Sequence, residues 1–80
     1  MKIYNYNGRC NISGTIVREI REKRQITQDQ LAAKMQIEGI PLNQKAISRI
    51  EAGSRVVADY ELKTLAKVLG VTVEVLLEEK

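Results

Sequence analysis

Gln44, Lys45, Ser48 and Arg49 fall inside one six-residue stretch, QKAISR, and all four side chains can make directional polar contacts. On a helix at about 100° per residue with Gln44 at zero, Ser48 falls near 40°, Lys45 near 100° and Arg49 near 140°. On the same scale Ala46, Ile47 and Ile50 gather between about 200° and 300°, so the opposite side can be buried. Gln can pair with adenine N6 and N7, Arg or Lys with guanine O6 and N7, and Ser with either. That inventory suits base edges in a DNA major groove. No acid lies on the outer face, and Glu51 falls near 340°, about at its boundary. A polar helix face is also what solvent contact alone selects, so these residues by themselves leave both readings open.

The elements around the stretch can position it. A first helix is expected over about 15–24, capped by Ser13, with Ile16, Val17 and Ile20 on one face. The second begins at Thr27: Thr27-Gln28-Asp29-Gln30 forms a capping box, and Leu31, Ala32 and Met35 face inward. It should stop near Glu38, before Gly39 and Pro41. Asn43 caps the third helix, Leu42 and Ile47 stand in staple positions, and Gly53 ends it. A fourth runs from an Asp59 cap to Leu69 with Gly70 as its stop, and a short fifth from a Thr72 cap to about Glu78. Residues 1–12 read as an ordered arm ahead of a domain over 13–80. A tightly capped helix, a connection and a two-faced helix can set the latter into a major groove. The free N–H groups at the start of the second helix, with Gln28, would then face a phosphate. Gln28 is equally at home as a plain first-turn residue.

Charge and composition narrow the function. Residues 1–58 carry ten Lys and Arg against five Asp and Glu, whereas 59–80 carry three against five. A basic body suits a polyanion touching one part of the domain. Eighty residues support one modest core, which must be aliphatic because Phe and Trp are absent. With no His and a lone Cys10, no disulfide, metal set or nucleophile–base pair can be assembled, so no catalytic residue, metal or cofactor is expected. Residues 1–13 lack the apolar core of a signal peptide, and no run approaches a membrane span. A reducing cytoplasm is the expected location.

The segments VREIREKRQITQDQLAAKM, ISRIEAGSR and DYELKTLAKVLGVTVEVLL, in that order, resemble the lambda-repressor-like helix-turn-helix family, also called the xenobiotic-response-element family. The resemblance covers about residues 13–78 and implies an all-α, five-helix DNA-binding domain with a short N-terminal arm. It implies base reading by Gln44, Lys45 and Arg49, with Ser48 touching base or phosphate. It implies a phosphate clamp at Thr27 and Gln28, and backbone contacts by Gly53, Ser54 and Arg55. Asn43, at the start of the third helix, is counted with the phosphate contacts. It further implies a structural ion pair between Arg21 and Glu51, and a transcriptional regulator, most often a repressor, bound to double-stranded DNA in the nucleoid. The rival is a protein-interaction module on the same fold, such as the antitoxin of a toxin–antitoxin pair.

Relatives commonly dimerise on palindromic operators with half-sites about 34 Å apart. Val73, Leu76 and Leu77 could form such an interface, or could simply cover the first and fourth helices. The chain departs from the family in three places. Gln25 stands where many members have Gly, so it must take a left-handed backbone or the helix must end otherwise. Ala52 stands where many have Asn, removing one phosphate contact. The Met35–Ile47 interval is five residues longer than in short-turn members, and QIEGIPLN should add about a turn to the second helix and a wider loop.

Overall fold

A computed structural model describes residues 5–78, and residues 1–4 of the expected arm and 79–80 of the expected domain lie outside the described residues. Five helices follow in order: α1 (Gly14–Lys23), α2 (Gln28–Ile37), α3 (Gln44–Ala52), α4 (Asp59–Leu69) and α5 (Val73–Leu76). The fold is all-α, as the family resemblance implies. No helix among the described residues is long and apolar enough to cross a membrane.

The start of α1 differs from expectation. Ser13 is buried at the N-cap position but accepts no capping bond. Asn11 takes that role from two residues upstream, its Oδ1 accepting from Gly14 N at 2.8 Å. At the other end Gln25 adopts φ 57°, the left-handed backbone that its non-glycine identity makes costly. Ile26 N then reaches back to Arg21 O at 3.0 Å, closing the helix.

The α2 start carries the capping box. Thr27 Oγ1 accepts from Gln30 N at 3.0 Å, and Gln30 Oε1 accepts from Thr27 N at 2.8 Å. Beyond Met35 only Gln36 and Ile37 remain helical, so the longer interval enters the loop more than the helix. Gly39 at φ 85° turns the chain. Gln36 Nε2 donates to Leu42 O at 3.0 Å and holds the loop against α2. Leu42 is buried, and Asn43 Oδ1 accepts from Ala46 N at 2.8 Å to cap α3.

The cap of α4 is also not the expected one. Ala58 is the N-cap and Asp59 the first helical residue. Glu61 Oε1 accepts from Ala58 N at 3.0 Å, so a carboxylate in the first turn satisfies the chain entering the helix. Thr72 Oγ1 accepts from Val75 N at 3.2 Å at the head of α5, which ends at Leu76, two residues before Glu78.

The core is aliphatic. Val17, Leu31, Met35, Ile47, Ile50, Leu65, Leu69 and Leu76 are fully buried. Each such side chain contributes about 1.5–3 kcal/mol by leaving water. Helix α3 packs on both α1 and α2, and α4 and α5 close the far side. Ile47 and Ile50 therefore anchor α3 from beneath and dictate which of its faces points out.

Candidate nucleic-acid interface

The outer face of α3 is presented to solvent as its periodicity predicts. Gln44, Lys45 and Arg49 are exposed, Ser48 is half-buried, and Ile47 and Ile50 lie beneath. Neither Lys45 nor Arg49 has an acid partner among the described residues. No ion pair or hydrogen bond among the described residues fixes their side chains away from a ligand.

Behind this face runs a connected polar network. Arg21 donates from Nε to Glu51 Oε2 at 2.7 Å and from Nη2 to Glu51 Oε1 at 3.0 Å. Its remaining terminal nitrogen, Nη1, donates to Ile26 O at 2.8 Å. Both side chains are buried, so the pair links α1 to α3 away from water. The hydrogen bonds to Glu51 hold the Arg21 guanidinium above its ordinary value, outweighing the desolvation that opposes its charge.

Glu51 Oε1 accepts a further bond, from Gln28 Nε2 at 3.0 Å. A carboxylate can only accept, so the Gln28 amide must turn its nitrogen inward and its oxygen outward. That oxygen accepts from Gln44 Nε2 at 2.6 Å. The direction of each amide is thus set in series, from a buried carboxylate to a surface glutamine. Gln44 keeps its Oε1 and one N–H outward, an acceptor beside a donor, which is the pattern that matches adenine N6 and N7.

The phosphate candidates fall into two groups. Thr27 and Gln28 at the head of α2 lie beside Asn43 and Gln44 at the head of α3, joined by the Gln28–Gln44 bond. The N–H groups of Gln28 and Asp29 precede the first intrahelical bond and have no partner among the described residues. The Thr27 hydroxyl oxygen already accepts from Gln30 and still has a proton to donate. Gly53, Ser54 and Arg55 lie at the other end of α3. Gly53, at φ 79°, donates its N–H to Ile50 O at 3.0 Å, and Ser54 donates its own to Arg49 O at 3.0 Å. Those two N–H groups are therefore occupied by the C-terminal cap of α3.

Arg55 is committed more deeply. Its Nη1 and Nη2 donate to Glu61 Oε1 and Oε2 at 2.8 and 3.0 Å, and Nη1 also donates to Val56 O at 2.8 Å. Arg55 holds the Glu61 carboxyl below its ordinary value, helped by the Ala58 N–H and opposed by burial. The same bond raises the Arg55 guanidinium. Ala52 is exposed with only a methyl to offer.

The expected interface residues of α5 separate. Leu76 is fully buried, so it covers this chain's own α1 and α4 and cannot meet a second copy. Val73 is half-buried against the same core, and only Leu77 is exposed. Sequence reasoning also missed Arg9, Asn11 and Gly14, which gather at the C-terminal end of α3. The only local signal was Asn11 three residues before the first helical residue, an Asx-type cap.

No curated protein and no solved structure matches the chain significantly. A helix-turn-helix family model matches residues 17–76, well over half of the chain. That span holds α1 from Val17 onward and all of α2 to α5, with the paired α2 and α3, the outward polar face of α3 and the network behind it. With this match and these helices in hand, the chain belongs to the lambda-repressor-like, or xenobiotic-response-element, helix-turn-helix family of DNA-binding domains.

Proposed function

We propose that this chain is a transcriptional regulator, acting as a repressor, that lays α3 in the major groove of a specific double-stranded operator. Gln44, Lys45, Ser48 and Arg49 read base edges. Thr27, Gln28 and Asn43 hold one phosphate strand, with Gly53, Ser54 and Arg55 toward the other. The observation that carries this reading is the contrast among the cations. Arg21 and Arg55 are neutralised by internal carboxylates, whereas Lys45 and Arg49 are left charged beside an oriented Gln44. Repression follows from occupancy, since a domain seated in the groove excludes other proteins from the same DNA in the nucleoid.

The few contacts of one protomer favour two copies on a palindrome with half-sites about 34 Å apart. Leu77, 42 % exposed at the end of α5, is the apolar group left for such an interface. Arg55 serves this scheme chiefly as a support for the segment after α3, sharing its guanidinium with Glu61.

Selection of bound sequences from a random duplex pool tests the assignment. A palindromic consensus is expected, with affinity falling steeply as salt rises because bound phosphates release counterions. Recovery of no consensus, or affinity indifferent to salt, overturns it.

A further inference from the structure

Residues 9–11 precede the span matched by the family model, yet they are bonded to the end of the helix that carries the base-reading face. Tyr6 and Arg9 pair across a tight turn, with N–H to carbonyl bonds of 2.7 and 3.0 Å and positive φ at Asn7 and Gly8. The chain then runs along the C-terminal end of α3. Arg9 Nη2 donates to Glu51 O at 3.0 Å, and Arg9 Nε donates to Asn11 O at 3.2 Å. Cys10 N donates to Gly53 O at 2.7 Å. Asn11 Nδ2 donates to Ile50 O at 3.0 Å and to Arg55 O at 2.7 Å, while its Oδ1 accepts from Gly14 N.

The bonds to Ile50 O, Glu51 O and Gly53 O fall on carbonyls of the last turn and cap of α3, and Arg9 brings a guanidinium to the negative end of the α3 dipole. The two ends of α3 are held by different devices. Its head is held by the Asn43 cap and the Gln28–Gln44 bond, its tail by Arg9, Cys10 and Asn11. Gln44 sits at the head and Arg49 toward the tail. A small change of tilt about the head therefore displaces Arg49 most, and bidentate pairing tolerates little displacement.

We propose that Arg9 and Asn11 are positioning residues for base recognition: they clamp the tail of α3 and set where Arg49 meets the base pairs. This inference rests on the reading of α3 as the base-reading helix.

The test uses the full chain with Asn11→Ala, Asn11→Asp and Arg9→Ala. Asn11→Asp keeps the acceptor for Gly14 N but loses both donations to α3 and Arg55. Arg9→Ala leaves the Asn11 bonds in place and serves should Asn11→Ala not fold. Each variant shown to be folded by circular dichroism is titrated against single-base-pair variants of the sequence selected by the parent chain. Affinity is expected to fall about fivefold or more, the scale of one or two lost hydrogen bonds. The loss should concentrate at the base pair sensitive to Arg49→Ala and spare the one sensitive to Gln44→Ala. Amide exchange at Gly53 and Ser54 should quicken while that of Leu31 and Leu65 stays at the parent rate. A folded variant with lowered melting temperature but the parent's affinity profile and exchange overturns the inference alone. So does a loss spread evenly over all positions. A parent chain that selects no sequence overturns the base-reading assignment and, with it, this inference.

Discussion

Arg21 and Glu51 meet fork to fork across the α1–α3 contact, at 2.7 and 3.0 Å, with the carboxylate side chain only 3 % exposed. Bidentate geometry of this kind is the strongest form of ion pair, and here every partner group is accounted for. The remaining guanidinium nitrogen of Arg21, Nη1, has Ile26 O, and Glu51 has Gln28. The pair thus holds α3 to the body of the domain and orients the polar network that ends at Gln44.

Removing one partner should cost far more than removing both. Glu51→Ala leaves an enclosed guanidinium, and the expected loss in urea unfolding is about 3–5 kcal/mol. Arg21→Met together with Glu51→Met should recover much of it, since an apolar pair needs no compensating charge. A Glu51→Ala cost under about 1 kcal/mol would place the pair with ordinary surface bridges.

Gln28 should not behave as a simple phosphate contact. Its amide joins Glu51 to Gln44, at 3.0 and 2.6 Å, so Gln28→Ala also frees the Gln44 side chain. In a double-mutant cycle on DNA affinity, Gln28→Ala and Gln44→Ala should show coupling of about 0.5–3 kcal/mol. Arg49→Ala should relax one base position by about 1–3 kcal/mol and add independently to Gln28→Ala. Strict additivity of the glutamine pair would remove the network from recognition.

Two glycine exchanges should act in opposite directions. A Cβ on Gly14 would collide with the carbonyl oxygen of Ile50, a backbone atom that cannot step aside. Gly14→Ala should force α1 from α3 and destabilise the chain by about 3 kcal/mol or more. Gln25 pays for a left-handed backbone, so Gln25→Gly should stabilise it by about 1 kcal/mol. Chemical denaturation midpoints read both, and a neutral Gly14→Ala would mean the two helices can part without loss.

Acid should weaken the segment after α3. The folded-state titration of Glu61 is depressed, chiefly by the hydrogen bonds from Arg55 and further by the Ala58 N–H. A depressed carboxyl contributes stability that is complete above the unfolded glutamate value of about 4.3 and lost as pH falls through the lower folded value. Denaturation midpoints measured downward from pH 6 should therefore fall across this range. Glu61→Gln should flatten that fall relative to the parent, and an identical acid limb in both proteins would exclude Glu61 as its source.

Much of the fold was legible because its signals are local. The Thr27–Gln30 box, the Asn43 cap and the stops at Gly53 and Gly70 each depend on residues within about one turn. The outward face of α3 was legible for the same reason, since Ile47 and Ile50 repeat at the helical period. The Arg21–Glu51 pair came only through family resemblance, because no local pattern joins residues thirty apart.

The order of amphipathic helices, their caps and the polar inventory of α3 follow from the sequence, because backbone hydrogen bonding and side-chain period act over a few residues. Packing decided the rest. Leu76 became core because α1 and α4 leave an apolar space beneath α5, and Arg55 turned inward because Glu61 waited at the head of α4. Asn11 bridges α1 and α3 only because Gly14, lacking a side chain, lets their backbones touch.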